Sequence, residues 1–178
     1  EDQNLSDEFQ YENFYYQLRE SGLHITRAVK DPHYDKDGNL DYEDKCMITT
    51  VYIPEKLEVN GTFYPVEYID GTIGSVEGVF SDCTNLTTLV LPSQLKEIGA
   101  QAFAGCEQLT AVTLPDSLEV LGCGAFQNCT SLTTINIPAN VRCGDYAGEI
   151  AYPGPFDGTT SLTGVVFASG LKKIDNAM

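Results

Sequence analysis

Apolar residues recur along this chain at fixed places in a unit of 23 residues. Segment 86–105 reads LTTLVLPSQLKEIGAQAFAG, and segment 109–128 reads LTAVTLPDSLEVLGCGAFQN. Phe80, Phe103 and Phe126 keep the interval, as do Cys83, Cys106 and Cys129, and Leu86, Leu109 and Leu132. Leu89, Val112 and Ile135 follow it, then Leu91, Leu114 and Ile137, then Pro92, Pro115 and Pro138. Within each unit the L-x-x-L-x-L stretch alternates with the period of a strand that buries one face. One such unit cannot enclose that face alone, so successive units must stack and share a core. The Pro after each strand ends its pairing, and Gly99 and Gly122 suit corners too tight for a Cβ. The phenylalanines then fill the broad end of each unit, one ring above the next.

The pattern continues in degraded form on both sides. Phe156, Leu162, Val165, Phe167, Leu171 and Ile174 reproduce the internal spacings after an interval of 30, so seven extra residues sit within 142–155. Their Pro and Gly content reads as a protruding loop. Upstream, Val51, Ile53 and Pro54 mirror Leu89, Leu91 and Pro92, while Val66 and Ile69 mirror Leu95 and Ile98. A hairpin is expected between them around Asn60-Gly61, a favoured two-residue turn. A second insertion falls near 70–77. Residues 1–45 stand outside the repeat. FQYENFYYQL (9–18), a Ser21-Gly22 turn and LHITRAV (23–29) read as a β-hairpin covering the open end of the stack. In its second strand Leu23, Ile25 and Arg27 alternate with His24, Thr26 and Ala28. Residues 1–8 are polar and expected to be mobile.

The motif L-T-x-φ-x-L-P-x-x-L-x-x-φ-G-x-x-A-F-x-x-C, where φ is Leu, Val or Ile, resembles the BspA-like leucine-rich repeats of bacterial surface proteins. The resemblance is specific over 80–138, good over 156–175 and looser over 46–79. It implies a parallel-stranded solenoid displayed outside the cell and acting in adhesion or protein binding. The expected fold is therefore a β-rich leucine-rich-repeat solenoid, a right-handed coil of parallel short strands with an N-terminal β-hairpin cap. Residues 1–45 would form the tail and cap. Residues 46–178 would form about four to five coils, with insertions near 70–77 and 142–155. The two insertions and the small number of coils depart from the family pattern.

Charge removes several functions. Lys and Arg total 10 against 26 Asp and Glu, giving a net charge of −16 and a pI near 4.2. That field repels phosphate backbones and anionic membrane surfaces, so no nucleic-acid partner is expected. No apolar run approaches the roughly 18 residues of a spanning helix, so membrane insertion is not expected either. The chain begins at Glu1 without a signal-peptide segment, which reads as a mature or trimmed form. It has two histidines, His24 and His33, and no Trp. It has no G-x-S-x-G elbow and no Gly-rich phosphate loop, and no pair of carboxylates stands out. No enzyme and no cofactor are expected.

Two motifs have competing readings. Cys83, Cys106 and Cys129 share one register, so they are expected to stack as small buried thiols, with disulfides or metal as the alternatives. Cys46, Cys123 and Cys143 lie off that register, and Cys123 with Cys143 is the pair considered for oxidation. The even count alone implies no disulfide framework, and the redox compartment stays open. HYDKDGNLDYED (33–44) has Asp35, Asp37, Gly38, Leu40, Asp41 and Asp44 at calcium-loop positions. However, His33 stands where a carboxylate belongs, the last position is Asp, and no helices flank the loop. A hairpin turn at Asp37-Gly38 is the expected reading, and no metal site is expected.

The surface carries what remains. Between the apolar positions of each strand, Thr50 and Tyr52, Thr88 and Val90, Ala111 and Thr113, Thr134 and Asn136, then Gly164 and Val166 point outward. This neutral stripe on an acidic chain suits a protein-docking floor, or consists simply of good strand formers. Tyr146, Tyr152 and Phe156 would add aromatic anchors at the insertion. The expected function is a secreted or cell-surface module that binds a host or bacterial surface protein. A structural spacer or, less favoured, a carbohydrate-binding module are the alternatives. A weak homodimer through Leu171, Ile174 and Met178 is also expected, because no polar cover follows the last coil.

Overall fold

In the computed structural model, residues 3–12, 14–28, 33–34, 40–41, 46, 48–71, 78–143 and 153–170 are described. These hold fifteen strands and no helix. In order they are β1 (Phe9–Tyr11), β2 (Phe14–Arg19), β3 (Gly22–Ala28), β4 (His33–Tyr34), β5 (Leu40–Asp41), β6 (Thr50–Tyr52), β7 (Lys56–Val59) and β8 (Thr62–Ile69). There follow β9 (Thr88–Val90), β10 (Glu97–Ile98), β11 (Ala111–Val112), β12 (Val120–Leu121), β13 (Thr134–Ile137), β14 (Arg142–Cys143) and β15 (Gly164–Phe167).

Among the described residues, successive repeats contribute strands to two ladders, and every pairing between repeats is parallel. On one side β6 pairs with β9, and β11, β13 and β15 form a second run in which Val112 faces Ile135 and Ile135 faces Val165. On the other side β8, β10, β12 and β14 align Ile69, Ile98, Leu121 and Cys143. A third set of backbone bonds closes the broad end. Phe80 N–H donates to Ala102 O, Phe103 N–H to Ala125 O and Phe126 N–H to Pro155 O, each at 2.8 Å. Hydrogen bonding on three sides holds successive units at the strand spacing of about 4.8 Å.

That spacing makes equivalent side chains touch. The rings of Phe80 and Phe103 stack at 4.8 Å with 4° between planes, Phe103 and Phe126 at 5.2 Å and 6°, and Phe126 and Phe156 at 5.9 Å and 13°. The leucines Leu86, Leu109 and Leu132 are buried beside them. At the corner after β10 the backbones themselves touch. A Cβ on Gly99 would lie 2.2 Å from the amide nitrogen of Gly71, which no side-chain movement relieves. Another corner requires a left-handed backbone at Asp82, Gly105, Asn128 and Gly158, one register position in four consecutive units. Only Gly, Asn and Asp occupy it, the residues that tolerate this region best.

The N-terminal strands join this stack instead of standing apart from it. β1, β2 and β3 form an antiparallel meander, and β3 runs parallel to β8. Phe14 meets Phe80 edge-on at 5.5 Å and 76°, Tyr16 lies behind Phe14, and Phe9 stacks on Tyr16, so the aromatic column continues into the meander. A bulge at Thr26 shifts the alternation expected for β3. Leu23 and Ile25 point inward, but Ala28 replaces Arg27 on that face. Arg27 is exposed, lies 3.7 Å over the Tyr15 ring and pairs with Glu8 at 2.7 Å. Residues 3–8 are also tied down, contrary to the expected mobility. Leu5 N–H donates to Leu18 O, Glu20 N–H to Gln3 O, and Leu18 N–H to the Ser6 hydroxyl. The reversal between β2 and β3 sits at Glu20-Ser21, one residue before the expected turn, whereas Asn60 and Gly61 form the expected turn between β7 and β8, both with positive φ.

The cysteine ladder needs a larger correction. Cys83 is not a free thiol: it forms a disulfide with Cys46. Cys106 and Cys129 are buried free thiols, as expected, with Sγ–H groups directed at the carbonyls of Phe80 and Phe103. The bridge among the described residues is therefore Cys46–Cys83 and not Cys123–Cys143. Cys83 is the first ladder position, so its outer side has no preceding repeat cysteine, and Cys46 fills that place from the connecting segment.

Three measurements follow from this packing. Phe103→Ala empties the middle of the ring column between two neighbours held by backbone bonds, and should cost about 3–5 kcal/mol in chemical denaturation. A loss below about 1 kcal/mol would contradict the stacked core. The disulfide closes a loop with a sequence separation of 37, and the double variant Cys46→Ser/Cys83→Ser should lose about 3–4 kcal/mol. Denaturing thiol titration before reduction should also return two thiols fewer than after it. Tyr16 is fully buried, and its hydroxyl has no hydrogen-bond partner among the described residues. Burial pushes its ionisation well above the ordinary range, with Glu12 and Tyr11 adding to the effect. A native pKa raised above the unfolded value contributes stability below about pH 10 that is lost as pH rises further. Tyr16→Phe should therefore raise stability at neutral pH by about 1 kcal/mol and flatten the alkaline loss. An unchanged alkaline slope in the variant would assign that loss to other groups.

Candidate functional site

The alternation of the short strands decides which side chains face solvent. In β6 and β9 the central residues Val51 and Leu89 are buried, and their neighbours face outward. Thr50 pairs with Thr88 and Tyr52 with Val90 across that ladder. Tyr52 is 62% exposed and Val90 45%, so two adjacent strands present an aromatic–aliphatic pair to solvent. Ala111, Thr113 and Thr134 are exposed in the next ladder, followed by Val166 at 66%. The expected stripe is thus brought together on parallel strands.

Asn136 behaves differently from its neighbours. It is half-buried, its Nδ2 donates to Leu114 O and its Oδ1 accepts from Leu114 N–H, both at 2.7 Å. The amide spans the gap between two repeats and pairs with backbone, which leaves less of it for a partner. Phe156 is half-buried at the end of the ring column and so is a core residue in part. Tyr146 and Tyr152 lie outside the described residues, as do Leu171, Ile174 and Met178. The backbone of the 33–44 segment pairs antiparallel, His33 with Asp41 and Tyr34 with Leu40, as a hairpin requires. Its residues 35–39 and 42–44, and with them Asp35, Asp37, Gly38 and Asp44, lie outside the described residues.

A second constellation escaped the sequence reading. Parallel pairing of β3 with β8 brings Asp70 to the strand carrying His24, 46 positions away. His24 Nδ1 lies 2.7 Å from Asp70 Oδ1, and Ser21 Oγ lies 2.7 Å from His24 Nε2. Arg19 clamps the same carboxylate with Nη1 at 3.2 Å from Oδ1 and Nη2 at 2.6 Å from Oδ2. The imidazole is buried and stacks on Tyr68 at 4.4 Å and 8°. Lys96 pairs with Glu67 at 2.6 Å on the flank. Burial raises the Tyr68 phenol, with Lys96 opposing and the nearby glutamates adding. Burial likewise raises the Glu97 carboxyl, opposed by His24 and Arg142. The sequence signal was slight: Ser21 and His24 three residues apart after a turn, with nothing local to mark Asp70.

Comparison with known proteins agrees with this architecture. The family model described as the BspA-type leucine-rich repeat region, in six copies, matches residues 72–178. The fold is similar to a leucine-rich repeat protein from Bacteroides capillosus, with a TM-score of 0.66 and 23% identity over 92% of this chain and 100% of that one. It is also similar to a leucine-rich cell surface protein from Faecalibacterium prausnitzii, with a TM-score of 0.54 and 17% identity. There the alignment covers 91% of this chain and 40% of the other, so this chain spans less than half of that relative's length. At these identities the likeness is one of fold. No curated protein sequence matches the chain.

Proposed function

Because the chain belongs to the BspA-type leucine-rich repeat family, we propose that it is a secreted or cell-surface module that binds a protein through the outward face of its strands. On this reading residues 46–178 form the leucine-rich-repeat solenoid, and residues 1–45 form its cap. The observation that carries the proposal is the exposed stripe of Tyr52, Val90 and Val166, set on rigid parallel strands with Thr50, Thr88, Thr113 and Thr134 between them. An aromatic anchor on a pre-ordered sheet binds with little entropic cost, and aromatic residues dominate interface energetics.

Charge complementarity narrows the partner. A chain of net charge −16 attracts a surface whose apolar patch is ringed by Lys and Arg, and it repels acidic surfaces and polyanions. Two observations support the location. The Cys46–Cys83 disulfide fits an oxidising compartment, and one structurally similar protein is named a cell surface protein. Weak self-association through the last repeat belongs to the same reading. Val165 and Phe167 occupy the inward positions of the final described strand yet remain 43% and 46% exposed.

The test is capture of purified host extracellular-matrix and cell-surface proteins by the immobilised chain, read by mass spectrometry and then by titration. Tyr52→Ala should cost about 2 kcal/mol of binding, roughly thirtyfold in affinity, with Val90→Lys and Val166→Lys acting in the same direction. Circular dichroism should be unchanged, because all three side chains face solvent. Capture that ignores all three changes, or no capture, would favour the structural spacer. Sedimentation of the same samples reads self-association, which Val165→Lys with Phe167→Lys should abolish.

A further inference from the structure

We propose that Ser21 is an activated nucleophile, with His24 as its general base and Asp70 holding that base in place, so that the chain takes up acyl groups from small uncharged esters at the β2–β3 turn. The argument is geometric. A nucleophile, a base and an orienting carboxylate in consecutive hydrogen-bond contact are the shared arrangement of activated serines on unrelated folds. Here both links are 2.7 Å. Nδ1 faces both Asp70 Oδ1 at 2.7 Å and Arg19 Nη1 at 3.1 Å; the shorter, carboxylate contact places the imidazole proton on Nδ1 and leaves Nε2 to accept from the Ser21 hydroxyl. That is the tautomer a general base requires. The base is also held still: Arg19 fixes Asp70 through two N–H bonds, and the Tyr68 ring lies flat against the imidazole. His24 and Asp70 are shielded while Ser21 is exposed, so a reagent reaches the nucleophile without disturbing its support.

In the reaction Ser21 Oγ attacks the ester carbonyl while its proton passes to His24 Nε2. The C–O bond to the leaving alcohol then breaks, and that oxygen takes the proton back from Nε2. The product is an ester on Ser21 with His24 restored, and water attacking by the same route would release the acid. Glu20 lies next to Ser21, and the Glu67 carboxylate borders Gly22, so anionic acyl groups are disfavoured. The gain expected from the base is about 10²–10⁴ in rate.

Ser93 provides an internal control. It is also exposed, and its hydroxyl donates to Glu55 Oε2 at 2.8 Å, a carboxylate that also accepts from the Ser93 N–H and is a weaker base than imidazole. The full folded chain is treated with p-nitrophenyl acetate, and the acetyl group is located by peptide mass spectrometry. Ser21 should acetylate about 10²-fold faster than Ser93 or more, and in urea the two should react alike. Ser21→Ala should remove the fast site with circular dichroism unchanged, and His24→Gln should bring Ser21 down to the Ser93 rate. Equal rates in the folded chain would overturn the proposal, as would an advantage that survives urea or His24→Gln. The folded-to-urea comparison reads the effect in the natural chain even where a His24 variant fails to fold.

Discussion

Backbone hydrogen bonds along three sides of the molecule hold successive repeats about 4.8 Å apart, and the rest of the structure follows from that distance. It is close to the thickness at which flat rings touch, so phenylalanines in one register become a column with separations of 4.8 and 5.2 Å. It is too short for two Cβ atoms where the chain backbones turn inward together, so glycine recurs at Gly71, Gly99 and Gly122. At the left-handed corner Asp82, Gly105, Asn128 and Gly158 alternate large and small. A Cβ on Gly105 would lie 2.3 Å from Asp82 Oδ1, and one on Gly158 would lie 2.2 Å from Asn128 Oδ1. The side chain of one repeat therefore occupies the space left by the glycine of the next.

The same rule explains how the N-terminal segment joins. A repeat stack ends on an open apolar face and an unpaired strand edge. β3 supplies the missing parallel neighbour for β8, Phe14 closes the ring column edge-on, and Cys46 covers the first position of the cysteine column by bonding to it. In β15, the last described strand, Val165 and Phe167 are exposed.

The N-terminal region carries more chemistry than its sequence suggests. Arg19, Ser21 and His24 lie on the β2–β3 pair, and Asp70 lies at the end of β8. They form the joint through which the meander meets the repeats. A buried imidazole and carboxylate at a joint satisfy each other and Arg19, which is a structural benefit. The exposed serine at the end of that chain is what gives the joint a chemical readout as well.

The 23-residue spacing by itself determined the repeat unit, the stacking of successive units, the buried phenylalanines, the glycine corners and the outward stripe. Each of these depends on residue i and its equivalent in the next unit, and that relation is written in the sequence. What only the tertiary structure decided lies where no period operates. The bulge that turns Arg27 outward and Ala28 inward depends on how β3 meets β2. The Cys46–Cys83 bond depends on a connecting segment returning to the first repeat, and the spacing of Cys83 pointed to a free thiol. Asn136 looked like an exposed stripe residue, but a 2.7 Å fit to Leu114 on both ends of its amide draws it in. The Ser21–His24–Asp70 contact needs two strands separated by 46 residues to lie side by side. Local pattern reports which face a side chain takes within its own strand. Which distant group it then meets is set by how the strands pack, and that information exists only in the folded chain.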